Sequence, residues 1–107
     1  MNYFENPENT ARIRRITEME NRLNRIGTAL KIAELCPDVL DAVREDVRAL
    51  SAYLDGPLWR EDFEADEAGL LPQDLKRGVL SEDAIYDLLT EYDALKVQMQ
   101  EADKRQE

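Results

Sequence analysis

Residues 16–33 read ITEMENRLNRIGTALKIA, and their apolar positions decide the fold. Ile16, Met19, Leu23, Ile26, Leu30 and Ala33 recur at intervals of 3, 4, 3, 4 and 3. That is the a/d stripe of a helix packed along one seam against another helix, as in a coiled coil. Upstream, Asn6-Pro7 offers an N-cap and a first-turn proline. The helix then runs for about 25 residues, or about 37 Å. A helix so long with so narrow an apolar stripe requires a partner.

The partner follows directly. Leu40, Val43, Val47, Leu50 and Leu54 repeat the 3, 4, 3, 4 spacing. Cys36-Pro37-Asp38 interrupts the two stripes and places Pro37 in the first turn of the second helix. So short a connection makes the two helices antiparallel neighbours, a helical hairpin. Asp55-Gly56-Pro57 ends the second helix and opens a third, which carries Leu58, Trp59 and Phe63 and stops at Gly69.

Residues 68–80, AGLLPQDLKRGVL, hold too many apolar groups for a solvated loop. Leu70, Leu71, Leu75, Val79 and Leu80 are expected to be buried across the end of the hairpin. Pro72 to Arg77 has room for one helical turn, with Gly78 as its left-handed stop. Ser81 caps the last helix, with Glu82 and Asp83 in its first turn. Ile85, Leu88, Leu89, Tyr92, Leu95 and Met99 form its inner face. Strand-like alternation is absent. The expected fold is all-α: a coiled-coil-like antiparallel hairpin completed by a short third helix, an ordered apolar loop and a C-terminal helix. Residues 1–107 form one domain, with fraying expected over 1–8 and 101–107.

Composition excludes several classes of function. With 43% hydrophobic and 36% charged residues the chain is too apolar to be disordered. No apolar run reaches the length of a membrane span. The opening MNYFENPENT lacks the basic-then-apolar order of a signal peptide, so a cytoplasmic protein without membrane contact is expected. One cysteine, Cys36, precludes an intrachain disulfide. The chain has no histidine, which removes Ser-His-Asp and Cys-His catalysis and His-ligated metals. The net charge of −10 is uneven: residues 1–34 carry six basic and five acidic groups, residues 35–107 eight and nineteen. Only Arg12, Arg14, Arg15, Arg22 and Arg25 could present a basic face, and Glu18 and Glu20 sit among them, so nucleic acid is not an expected partner.

The run WREDFEADEAGLLPQDLKRGVLSEDAIYDLL (Trp59 to Leu89) resembles the carboxy-terminal half of a family of short bacterial proteins known as domain of unknown function 4298. Arg15-Ile16-Thr17-Glu18-Met19-Glu20 and the aromatic Tyr53 agree with the same family. Met1 to Asn9 and the connection around Cys36-Pro37 lie outside the resemblance. It implies one ordered domain and brings no activity, cofactor or ligand to these positions.

The acidic cluster Glu61, Asp62, Glu64, Asp66 and Glu67 invites a metal reading. A calcium loop begun at Asp62 would place Glu67 where glycine is needed for the turn and Gln73 where the bidentate glutamate belongs, so that match fails. As a helix, Asp62 and Asp66 share a face at i and i+4 and could hold a weak hydrated divalent cation; a solvated acidic face is the plainer reading. Paired carboxylates also serve acid–base catalysis, but only in a cleft that desolvates one of them. Gly69 and Gly78 are nine residues apart and make no phosphate loop. Cys36 precedes a helix start, where the dipole can raise thiol reactivity, though an inert turn cysteine is commoner. Trp59, Phe63 and Tyr86 are expected to form one aromatic cluster, with Trp59 either in the core or, if exposed beside the acidic residues, an interface anchor. Lys76-Arg77 is expected to neutralise carboxylates such as Glu64 or Asp66.

The sequence therefore leads to a non-enzymatic protein with no cofactor, metal site or catalytic residue. Its partner is another protein or a second copy of itself, as a homodimer. Trp59, Glu61, Asp62, Glu64, Asp66, Glu67, Lys76 and Arg77 are the candidate contact residues. The alternatives are an acidic module for a basic protein, and a weak divalent-cation binder.

Overall fold

The computed structural model describes the backbone of residues 6–106 and the side chains of residues 6–101. Its elements are α1 (Pro7–Ile32), α2 (Val39–Ala42), α3 (Arg44–Asp55), α4 (Pro57–Glu67), a 3-10 turn (Gly78–Leu80) and α5 (Glu82–Gln106). No strand occurs among the described residues, and the fold is all-α.

α1 starts where its cap predicts. Asn6 is extended, and its side-chain oxygen accepts from the Glu8 amide at 2.9 Å. Pro7 and Glu8, within the stretch expected to fray, form the first turn. Ile16, Ile26 and Ala33 of the stripe have no exposed surface, while Met19, Leu23 and Leu30 are half-buried against them. Ile13 and Ala29 join the same face.

The second helix of the hairpin is interrupted. It begins at Val39 rather than at Pro37, after a turn in which Val39 and Leu40 donate to the Cys36 and Pro37 carbonyls. Val43 then leaves helical geometry (φ −102°, ψ 10°), dividing the expected helix into α2 and α3. Hydrogen bonds continue across the junction, from Val43 N to Val39 O and from Val47 N to Val43 O. Leu40, Val43 and Leu50 consequently still reach the core.

At Gly56 the chain turns into α4. The backbone there is extended, and a side chain would place its Cβ 3.1 Å from the Ala52 carbonyl oxygen. α4 ends in a Schellman motif: Leu70 N donates to Ala65 O and Gly69 N to Asp66 O, with Gly69 at φ +75°. Gly69 is thus the left-handed residue, not Gly78. Gly78 instead lies close to the Glu20 carboxylate, which a Cβ there would meet at 3.1 Å. Between them Pro72 to Leu75 makes a single turn (Leu75 N to Pro72 O, 3.2 Å). Leu71, Val79 and Leu80 are buried, but Leu70 remains largely exposed, contrary to expectation.

Ser81 caps α5 by accepting from the Ala84 amide at 3.2 Å. Ile85 and Tyr92 are buried; Leu88, Leu89, Leu95 and Met99 pack around them. Helical geometry continues past Glu101 to Gln106. The Tyr92 hydroxyl donates to the Leu40 carbonyl at 2.9 Å, and Lys96 pairs with Asp41. α5 therefore runs parallel to α1 and antiparallel to α3, starting beside the middle of α1, and this stagger draws the molecule out to 62 × 21 × 18 Å.

Leu50→Ala or Ile85→Ala should cost about 2–5 kcal/mol of unfolding free energy in a urea titration. Leu35→Ala, at a residue 90% exposed, should change it by less than about 0.5 kcal/mol.

Candidate functional site

Polar groups cluster in the interior where α1, α3 and α4 meet. The inner face of α4 is Trp59, Asp62 and Ala65, so a carboxylate occupies its centre. Asp62 has no exposed surface. Arg15 Nε donates to its Oδ2 at 2.8 Å and Arg15 Nη2 to its Oδ1, a two-pronged pair between α1 and α4. The Tyr53 hydroxyl donates to Oδ2 at 2.6 Å from α3. Arg12 Nε lies 3.7 Å from Oδ1, and its Nη1 donates to Asn9 Oδ1. Asn9 in turn donates to the Leu70 carbonyl, tying the start of the loop to the first turns of α1. The hydrogen bond to Asp62 pushes the Arg15 pKa up. Burial, then the bond to Asp62, pushes up the Tyr53 phenol, so it stays protonated and acts as the donor.

Three further clasps follow along the molecule. Asp46 of α3 accepts from Arg25 Nε at 3.1 Å and Nη2 at 2.8 Å, and from Arg22 at 3.0 Å. The Arg25 bond, chiefly, holds the Asp46 carboxyl below the ordinary carboxylate range. Glu20 accepts from the Val79 amide at 2.8 Å, fastening the 3-10 turn to α1. Arg77 pairs with Asp66, as the sequence suggested for that cation, and also donates to the Leu75 and Pro72 carbonyls. The arginines weighed as a basic face are thus engaged from within: Arg12 and Arg15 at Asp62, Arg22 and Arg25 at Asp46. Arg14 is exposed.

The eight candidate contact residues divide evenly. Trp59 is 7% exposed, and its Nε1 donates to the Val79 carbonyl at 3.0 Å, which makes it core and not an interface anchor. Asp62 and Asp66 do not face a shared cation; each is committed to an arginine, and no group of three or more metal-ligating side chains occurs among the described residues. Arg77 is half-buried in its pairings. Glu61, Glu64, Glu67 and Lys76 are the exposed members. Of the expected aromatic cluster, Trp59 and Phe63 stack with centroids 5.3 Å apart, whereas Tyr86 is 65% exposed.

Two of the surface grooves among the described residues adjoin these clasps. One, between α1 and α4, has Arg12 and Arg15 at its floor and the exposed carboxylates Glu8, Glu61 and Glu64 at its rim. The other, between α1 and α2–α3, has Ala29, Ile32, Val39, Ala42 and Val43 as its apolar lining, beside the polar Asn21, Asn24, Arg25, Thr28 and Asp46. Ile32 there is 40% exposed, and Leu35 just beyond is 90% exposed. The sequence carried a signal for this second groove: Ile32 and Leu35 lie off the a/d stripe and so have no place in the hairpin seam.

These features define a small helical bundle whose helices are linked by ion pairs, one of them on the fully buried Asp62, and which presents a largely apolar groove at the closed end of its hairpin. The chain belongs to the family described as Domain of unknown function (DUF4298), whose model matches residues 16–102. The matched span takes in the Cys36-Pro37 turn, which the sequence resemblance had left out. Asp62 and Tyr53 fall inside it; Arg12 and Arg15, the arginines that meet them, fall before it. Neither a curated protein nor a solved structure matches the chain.

Asp62→Ala, which strands Arg15 and Tyr53, should lower stability by about 3–5 kcal/mol; Tyr53→Phe should lower it by about 1–2 kcal/mol, both measured by urea unfolding monitored through Trp59. Because the folded-state pKa of Asp46 is lowered, its contribution is full above its unfolded range near pH ~4 and is lost as pH falls through the lower folded value. Asp46→Asn should therefore be less stable than wild type at neutral pH and show a shallower loss of stability on acidification.

Proposed function

We propose that the protein is a non-enzymatic, cytoplasmic helical module that binds protein, and that the apolar groove between α1 and α2–α3 is its binding face. The observation that carries this reading is the exposed apolar surface at Ile32 and Leu35 beside Val39 and Ala42, where an unoccupied face gains most by burial. An absence of catalysis fits the disposition of its ionisable groups: Asp62, Asp46, Asp66 and Tyr53 are each bound to a partner within the chain. Among the described residues no helix is long and apolar enough to cross a membrane.

The first occupant to test is a second copy of the chain, since a self-complementary apolar face generates a two-fold dimer. Sedimentation of the wild type should give a dimer that Leu35→Glu and Ile32→Asp convert to monomer without loss of helicity. A wild-type monomer at every concentration would remove self-association and direct the groove to a different protein.

A second reading rests on the α1–α4 groove. Glu61, Glu64 and Glu67, with Glu8 opposite, remain exposed in a region of strongly negative charge and would attract a basic protein in a salt-dependent manner. Replacing Glu61, Glu64 and Glu67 by glutamine should abolish such binding at low salt. Asp62 and Asp66 are unsuitable for that test because they hold the fold.

A further inference from the structure

α4 is attached to the bundle differently from the other long helices. α1, α3 and α5 each contribute fully buried aliphatic side chains, namely Ile16 and Ile26, Leu50, and Ile85. The fully buried side chain of α4 is Asp62. Its inward apolar groups are limited to Trp59 and Ala65, while Leu58 and Phe63 face outward and are partly exposed. α4 packs on α3 and the 3-10 turn, and it reaches α1 through Arg12 and Arg15 across the open groove. Each end is a glycine junction: Gly56-Pro57, with extended backbone, and Gly69, at φ +75°. The helix is therefore a short rigid body between two turns, anchored by Trp59 at one end, by the Asp66–Arg77 pair near the other and by the Asp62 clasp at its centre.

We propose that α4 is a latch, which releases as a unit from a bundle of α1, α3 and α5 that stays folded, and that the Asp62 clasp with Arg15 and Tyr53 sets how often it opens. The physical basis is the contrast between the two kinds of attachment. Separating aliphatic surfaces exposes them to water at a cost that scales with area. Separating an ion pair beside an open groove returns both charges to water, which offsets much of the lost attraction. Local opening of this sort is an ordinary property of segments with few buried apolar contacts. On release Trp59 leaves the Val79 carbonyl, and the Tyr53 face of α3 becomes accessible together with the arginine floor of the groove.

Native-state hydrogen exchange on the full chain, at increasing sub-denaturing urea, tests the latch. The α4 amides from Glu61 to Ala68 should exchange through an opening with weak urea dependence, well below the global isotherm followed by α5 amides around Ile85 to Tyr92. Coincidence of the two isotherms would overturn the proposal. In Asp62→Asn the α4 amides should exchange about 100-fold faster, and because the clasp is broken in the opened and the unfolded state alike, the global isotherm of α5 should fall by the same factor with the separation between the two isotherms kept; acrylamide quenching of Trp59 should rise while helicity is retained. Asp46→Asn, whose clasp joins α1 to α3 and does not touch α4, should leave the α4 rates unmoved. Asp46→Asn should instead accelerate the α5 amides through the global unfolding it promotes; if it accelerates the α4 amides equally, α4 opens only with the whole bundle and there is no latch. If Asp62→Asn fails to fold, the wild-type isotherms decide the matter alone.

Discussion

A carboxylate with no exposed surface sits at the junction of three helices, and the arrangement of the first half of the molecule depends on how it is satisfied. Asp62 receives Arg15 from α1, Tyr53 from α3 and the weaker approach of Arg12. An unpaired carboxylate there would be prohibitively unfavourable, whereas a fully bonded one tolerates very few alternative positions for α4. Aliphatic seams of the kind in α1 and α3 permit sliding by a heptad; a two-pronged arginine pair does not. Asp46 with Arg22 and Arg25 applies the same constraint further along the hairpin, and Glu20 applies it to the 3-10 turn. The apolar stripes hold the helices together, and the ionic clasps are each satisfied in the register in which they do so.

Seen this way, the charge asymmetry of the chain has a structural explanation. The slight basic excess of residues 1–34 supplies arginines along α1, and the acidic remainder supplies their acceptors on α3 and α4. Electrostatic complementarity operates within the molecule before it is available to any partner. What remains outside is a negative surface, concentrated for the α1–α4 groove in Glu8, Glu61 and Glu64.

The architecture was legible in the sequence because helix stripes, caps and breakers are local signals. The 3-4 spacing of Ile16 to Ala33, the Asn6-Pro7 start and the Ser81 cap all act within a few residues of where they are read. The interruption at Val43 was not legible: no glycine or proline marks it, and the apolar stripe runs through it undisturbed. The sequence pointed to Gly78 as the left-handed stop, but Gly69 takes that conformation, and Gly78 lies instead against the carboxylate of Glu20, about sixty residues earlier in the chain. The acidic run was harder still. Its members look alike in sequence, yet helical phase buries Asp62 and leaves Glu61 and Glu64 in water, and only the arrival of Arg15 from a distant segment decides that the buried one is acceptable.

α1 runs without a break from Pro7 to Ile32, and both grooves open from it. Arg12 lies in one and Thr28 in the other, about 24 Å apart along the axis and about 160° around it at the rise and twist of an ideal helix. Ligands seated in the two grooves would therefore stand on nearly opposite sides of a single stiff rod, too far apart to collide and joined by no flexible linker. The unbroken helix thus fixes the distance and angle between the two grooves.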